Sequence, residues 1–316
     1  MRSALFWFLL FASAAWTITA LWVQFPSLRL LAIGGYLIAL GFVVYLRLGS
    51  AWGWAGLFSL TLIVALWYQS LAPRQNRNWA PDVAHIVKGA IAGDRVFLEN
   101  VRAFRWESAD VASVKEWRSR DVDLGDLAGV DMITSSWGNP KIAHLLLSFR
   151  FAHAEPITFS VEIRREEGEQ FSALGGFFRQ FELSLIAADE ADILQWRAVP
   201  RGEDVELYKL KLSHQQMRQL FLGFVKYGNE LNREPVWYNT LTANCATVVW
   251  RLASVVSREL PMDVALLLPG LLPEYINRIG ALEGHGTLAE KRARAKISER
   301  ARQMPIGEDF SSYIRR

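Results

Sequence analysis

The sequence predicts an α+β protein, with three transmembrane helices ahead of a domain in which an antiparallel sheet packs against helices. Three observations carry this. Three apolar runs precede residue 72, two segments after it alternate with the period of a strand, and two more carry apolar stripes at helical spacing. The 316 residues are 51% hydrophobic and include thirteen Trp, and the apolar excess lies at the N-terminal end.

Ala4–Val23, Leu28–Leu46 and Gly53–Leu71 are nearly free of charge. Each has about the ~20 residues that a helix needs to cross a bilayer. Trp7, Trp16, Trp22, Trp52, Trp54, Trp67 and Tyr68 lie mostly towards the ends of these runs, where amphipathic rings prefer the interface. Ala12-Ser13-Ala14 resembles a signal cleavage site, but the apolar run continues through Val23, which favours an uncleaved anchor. The basic residues around the runs do not decide the orientation by the positive-inside rule. This reading divides the chain into an anchor over residues 1–72, a linker over 73–82, a globular domain over 83–280 and a basic tail over 281–316.

Some function classes drop out on composition. A formal net charge of +3 without a basic groove pattern gives no reason to expect a nucleic-acid partner. One cysteine excludes an intramolecular disulfide framework and carries no compartment signal. There is no HExxH, no second cysteine and no close histidine pair, so no metal ligand set is expected. No GxSxG supports a serine hydrolase, no dinucleotide glycine spacing occurs, and no cofactor is called for.

After the polar linker, Val83–Ile91 and Arg95–Trp106 flank Ala92-Gly93-Asp94 as a hairpin beside the membrane. Glu107 to Pro140 shows little periodicity and reads as loop and short helix, its aspartates Asp121, Asp123, Asp126 and Asp131 as solvated loop carboxylates. Two clear strands follow, His144–Phe151 and Ile157–Arg164. Folding them about residue 153 sets 146 beside 160 and 144 beside 162, so that His144 and Glu162 become neighbours on the less apolar face. Gly175-Gly176 reads as a turn into a helix, and Leu183–Ala187 and Val205–Leu212 as further strands. Ser213 and Gln216 form a capping box for a helix with a Met217, Leu220, Phe221, Phe224, Val225 stripe. Leu266–Gly280, broken by Pro269 and Pro273, wraps the core. Lys291 to Arg302 reads as a solvated basic helix that could touch anionic lipid headgroups.

Cys245 is the residue with chemical interest. It follows Thr242, a good N-cap type, and Val248, Val249 and Leu252 stand at +3, +4 and +7, which places the thiol in the first turn of a helix on its packed face. The positive end of the helix dipole there favours thiolate. An inert packed thiol is the competing reading. A nucleophile also needs a base and a group that orients the base, and His144 with Glu162 supply both if the helix packs where their face is presented. His85, His153, His214 and His285 fit that role less well.

The runs IAHLLLSFRF, FSVEIRREEGEQFSALGGFFRQFELSLIAADEADIL, VELYKL and EPVWYNTLTANCATVVW together resemble the Lnb N-terminal periplasmic domain family, over about Asn78 to Gly280. The resemblance implies a circularly permuted, NlpC-type papain-like fold, with Cys245 after Asn as nucleophile and His144 of the AH motif as base. The family's SVE-R block falls on Ser160, Glu162 and Arg164. The family's threonines are replaced by Leu145 after the histidine and by Ala246 after the cysteine. The resemblance further implies a cytoplasmic N-terminus, three spans of the bacterial inner membrane and a periplasmic domain.

The function expected is a cysteine acyltransferase that forms a thioester on Cys245 from a lipid such as phospholipid and passes the acyl group to an amine such as a lipoprotein N-terminus. Substrate and oxyanion contacts are expected from Tyr238, Asn239, Asn244, Ser160 and Arg164. A cell-wall peptide amidase or peptidase using the same pair is the alternative within enzymes. A membrane-anchored binding or assembly module is the alternative outside them.

Overall fold

The structure, a computed structural model, describes residues 2–257 and 260–316. The three apolar runs form helices α1 (Arg2–Gln24), α2 (Arg29–Gly49) and α3 (Trp52–Ser70). α1 and α2 are long and apolar enough to cross a bilayer. The three share a small core of Phe6, Leu10, Val43 and Leu57. Phe8, Phe11, Leu30, Ile38, Phe42 and Ile63 remain exposed on them, an outer surface that water would not tolerate and hydrocarbon would.

The linker is tied down. Trp79 bridges Glu166, the Ala80 N–H donates to the Arg165 carbonyl, and a short 3-10 turn spans Pro81–Val83. The first strand therefore starts later than its β-branched residues suggest. β1 (Lys88–Ala92) and β2 (Arg95–Arg102) form the expected antiparallel hairpin, turning at Gly93 with φ +63°. A left-handed backbone of that kind favours glycine.

The segment expected to be loop is mostly strand. β3 (Arg105–Trp106) and β4 (Ala112–Val114) make a separate ribbon, β5 (Trp117–Asp123) pairs with β2, and β6 (Leu127–Ser136) lies inside the main sheet. β6 is buried on both faces, so it shows no alternation, and β5 is a largely charged edge strand. Asp131 is buried rather than solvated, whereas Asp121 lies at an exposed position as expected. Asp121 pairs with Arg95 at 2.6 Å, Asp123 accepts from the Gly125 N–H at 2.8 Å, and buried Asp131 receives Arg150 and Arg315 at 3.0 and 2.8 Å.

β7 (Ala143–Phe151) and β8 (Ile157–Arg164) pair in the expected register, with Leu146 opposite Ser160 and Ser148 opposite Thr158. Gly175 and Gly176 lie inside the short helix α4 (Ala173–Phe177), capped by Ser172, rather than in a turn before it. β9 (Glu182–Asp189) runs into α5 (Glu190–Ala198), and β10 (Asp204–Lys209) follows. The sheet order is β1-β2-β9-β8-β7-β6-β10, with β5 also on β2. All pairings are antiparallel except that of β2 with β9.

One face of this sheet is covered by α6 (His214–Arg233) and α7 (Cys245–Val256). Leu145, Leu147, Phe149, Phe159, Leu183 and Leu185 pack there against Phe221, Phe224 and Val248. The Ser213–Gln216 capping box is present, and Gly228 lets α6 approach so closely that a Cβ would stand 2.5 Å from the Val87 carbonyl oxygen. The proline-broken segment forms two 3-10 turns and α8 (Leu272–Arg278) against the same core.

The opposite face holds α5 and the residues from Ile297 onward, while Leu288 and Ala295 before them pack on the first core. α9 (Leu288–Ala295), α10 (Ser298–Gln303) and α11 (Phe310–Tyr313) are not a solvated tail. Ile297, Ala301, Phe310 and Ile314 are buried against Ile133, Leu146, Ile186 and Ile193. Buried Asp131 and Glu190 are both paired by Arg315. The sequence suggests solvation because the arginines dominate its average, yet they ring a narrow apolar seam. Phe310→Ala should cost about 3 kcal/mol through lost burial and the cavity left behind. A fall of several degrees in the thermal midpoint of the full chain in detergent is expected; an unchanged midpoint would show that this helix contributes nothing to the fold.

Candidate active site

The Cys245 position is set by a well-formed helix start. The N-cap is Asn244 rather than Thr242: its side-chain oxygen accepts from the Ala246 and Thr247 N–H groups at 2.9 Å, and Thr247 reciprocates as a capping box. The Asn244 amide nitrogen donates to the Thr240 carbonyl at 2.7 Å. Asn244 is therefore committed to holding the helix end. Asn239 likewise forms a local turn, accepting from Leu241 and Thr242 at 3.0 Å.

α7 packs on the apolar side of β7, yet its first residue reaches the histidine on the other side. The β7–β8 ladder ends at Leu146–Ser160, and His144 lies just beyond it. There the Cys245 sulfur comes close enough to the His144 imidazole and the Leu145 N–H for both to act on its charge. On the far side of the ring, His144 Nε2 is 2.6 Å from Ser160 Oγ and 3.1 Å from Glu162 Oε1, and Ser160 Oγ donates to that carboxylate at 2.7 Å. Nε2 is thus occupied by these two groups.

Arg197 completes the arrangement, and sequence reasoning did not find it. Its guanidinium donates to Glu162 at 3.0 Å and to Glu203 at 3.2 Å. Glu203 in turn accepts from Ser135 at 2.5 Å and from Arg201. The signal in the sequence is faint because α5 buries Glu190, Asp192 and Arg197 and so presents no apolar stripe. An arginine in a helix with no legible inner face offers nothing to single it out.

The electrostatics favour an ion pair. Burial is the largest single influence on the His144 imidazole and would push it down, but the Glu162 carboxylate and the Cys245 sulfur together overcome it and raise it to about 9. Glu162 sits well below the usual carboxylate range: burial opposes this, and His144, Arg197 and Ser160 overcome it. Burial would raise the Cys245 thiol, yet the His144 charge and the Leu145 N–H hold it below the ordinary thiol value. Both directions favour the thiolate–imidazolium pair over the neutral pair. Tyr238 is pushed up by burial, then by the negative charges of Cys245 and Glu162, so its hydroxyl stays protonated.

The site is largely buried: Cys245, His144 and Tyr238 are each 9% exposed. Gly176 packs against the Tyr238 ring and Thr240, where a Cβ would stand 2.4 Å from Thr240 Oγ1, so a side chain there would push on the segment that precedes the cysteine. Of the residues singled out in the sequence, Cys245, His144, Glu162, Ser160 and Tyr238 come together. Asn239 and Asn244 shape the turn before the cysteine. Arg164 points away, donating to the Val83 and Ala84 carbonyls and to Gln75 and lying over Trp79, and it clamps the linker. Among the described residues no group of three metal-ligating side chains gathers.

The charge state predicts a pH profile. The thiolate form should persist below the range in which an ordinary cysteine protonates, so alkylation of Cys245 by iodoacetamide should fall off at a lower pH than that of an ordinary thiol. Glu162→Gln removes the main support of the imidazolium and lowers the His144 value; the thiol then loses the His144 charge, which counts for more than the relief from the Glu162 charge, and its own value rises. The alkylation profile should then move towards higher pH by about one unit. Coincident profiles for the two proteins would mean that the carboxylate does not tune the pair.

No curated protein and no solved structure matches the chain. The Lnb N-terminal periplasmic domain model matches residues 113–270, a narrower stretch than the blocks read from the sequence, and it contains β5 to α7 with Cys245, His144, Glu162, Ser160 and Arg197 inside it. That match covers half of the chain, and the chain belongs to the Lnb N-terminal periplasmic domain family.

Proposed function

We propose that this protein is a membrane-anchored cysteine acyltransferase of papain-like layout, held by three spans in the bacterial inner membrane with its domain in the periplasm. The observation that carries the reading is the charge-paired Cys245–His144–Glu162 line at a helix N-terminus. A cysteine kept only for packing has no need of an imidazole, a carboxylate and a buried arginine arranged behind it. Helix-on-cysteine against strand-on-histidine, with the histidine earlier in the chain, supports the permuted papain-like assignment. α3 is a nineteen-residue apolar helix packed along α2, which supports counting it as a third span. Membership in a family described as a periplasmic domain supports the location.

The chemistry follows from the charges. The Cys245 thiolate attacks the carbonyl carbon of an acyl ester, and the C–O bond breaks as His144 gives its proton to the departing alkoxide. The thioester is then attacked by a neutral amine. His144 takes the amine's proton, the C–S bond breaks, and an amide and the thiolate result. The oxyanion formed in each half meets the Cys245 N–H at the helix start, because the Asn244 cap uses those of Ala246 and Thr247. Glu162, Ser160 and Arg197 hold the ring and its charge and need not touch substrate.

The test uses full-length protein in phospholipid vesicles with a diacylglyceryl-cysteine peptide as amine acceptor. Cys245→Ser and His144→Ala should each lower formation of the N-acylated peptide by ~10³-fold or more. Release of free fatty acid or cleavage of muropeptide without N-acylation would instead place the same pair in a hydrolase. Unchanged N-acylation in both variants would remove Cys245 from the mechanism.

A further inference from the structure

Between β8 and β9 the chain makes an apolar excursion, Phe171 to Arg179, that the chemistry above does not use. Phe171, Leu174 and Phe177 recur at every third position and are exposed by 59, 48 and 40%. The opposite side of α4 carries Gly175 and Gly176, and Gly176 packs on Tyr238 and Thr240 beside the cysteine. The Thr240 hydroxyl donates to the Ala173 carbonyl at 2.9 Å. One side of this short element therefore touches the segment before Cys245, and the other side is only partly covered by the described residues.

Its C-terminal end is fastened to the anchor. Gln24, the last residue of α1, donates to the Phe178 and Arg179 carbonyls at 2.5 and 3.0 Å. The Arg179 guanidinium donates to the Tyr68 carbonyl at 2.6 Å and lies over the Tyr68 ring. The Phe178 ring meets Trp16, 5.7 Å between centroids, about two turns or ~12 Å back along α1 from Gln24. The backbone of the excursion thus lies level with the helix ends, and its aromatic side chain descends alongside them. In a bilayer spanned by α1, that is the depth of the upper acyl chains.

We propose that the Phe171–Phe178 excursion is immersed in the outer leaflet of the membrane and delivers the acyl donor to Cys245 laterally from that leaflet; the delivery rests on the acyltransferase reading, and the immersion does not. Continuity with the helix ends selects a lipid surface as the partner of this apolar stripe. Tyr238 lies between the excursion and the sulfur, so an acyl ester entering beside Leu174 passes along that ring to reach the thiolate. The excursion does the work of an entry port, which explains why a largely buried site can serve an amphipathic donor.

Two measurements on the full chain in phosphatidylethanolamine–phosphatidylglycerol vesicles separate the two parts. In a Cys245→Ser background, a fluorophore placed through Leu174→Cys should be quenched by doxyl groups on lipid chains at least ~3-fold more than one placed through Asp110→Cys in the β3–β4 turn. Equal quenching at the two positions, dominated by aqueous iodide, would overturn the immersion. In the otherwise native chain, Leu174→Glu should lower acylation of Cys245 by vesicle phospholipid by ~10-fold, with its alkylation by iodoacetamide unchanged. An unchanged acylation rate would overturn lateral delivery. An immersed label on a chain whose native form gains no acyl group would uphold the excursion's place in the leaflet and contradict the transferase reading.

Discussion

A carboxylate kept charged in a largely buried place is the constraint on which the rest depends. Glu162 sits next to an imidazole, a hydroxyl and a guanidinium, and each of them is oriented by the need to satisfy it. Losing that charge would drop the His144 value, because burial and Arg197 both act against the imidazolium. The thiol would then lose its stabilising neighbour. The sheet supplies Glu162, Ser160 and His144 from adjacent strands, and α5 on one face supplies Arg197. α7 on the other face supplies the sulfur, and the two layers meet where the β7–β8 ladder ends. A helix packed on the apolar face can reach a polar-face histidine only at such an end.

The second constraint is the anchoring of the site to the membrane helices. Besides the Phe178 and Arg179 contacts, the Trp237 indole donates to the Leu71 carbonyl at 3.4 Å, one residue before Tyr238 in the chain. Arg77 pairs with buried Glu182 at 3.2 Å, and Arg164 holds the linker from the sheet side. The chain between anchor and domain is therefore braced, and the active-site segment keeps a fixed height above the helix ends. For a reaction on an acyl ester, that fixed height replaces a three-dimensional search with a two-dimensional one.

What the sequence made legible is explained by which residues repeat. β7 and β8 alternate cleanly because one face is apolar and the other carries the site, and their register follows from that alternation, so His144 and Glu162 could be placed together in advance. The Cys245 helix was visible from its valine stripe, although the cap moved two residues to Asn244. β6, buried on both faces, and β5, charged and at an edge, hide their period and read as loop. α5 hides because its inner face is made of ion pairs. The C-terminal helices hide because two thin lines of small and aromatic residues are outnumbered by arginine. Arg197, which pairs with the Glu162 carboxylate, is hidden for that same reason: polar burial leaves no periodic trace.

The central claim, that the sulfur of Cys245 is a nucleophile charged by His144, is tested most directly by intact-mass spectrometry of the full chain taken from phospholipid vesicles. The account predicts a hydroxylamine-labile acyl adduct on Cys245, formed in the native protein and lost in His144→Ala. A native protein that alkylates at the rate and pH of an ordinary thiol, and carries no acyl group after prolonged contact with lipid, would contradict it.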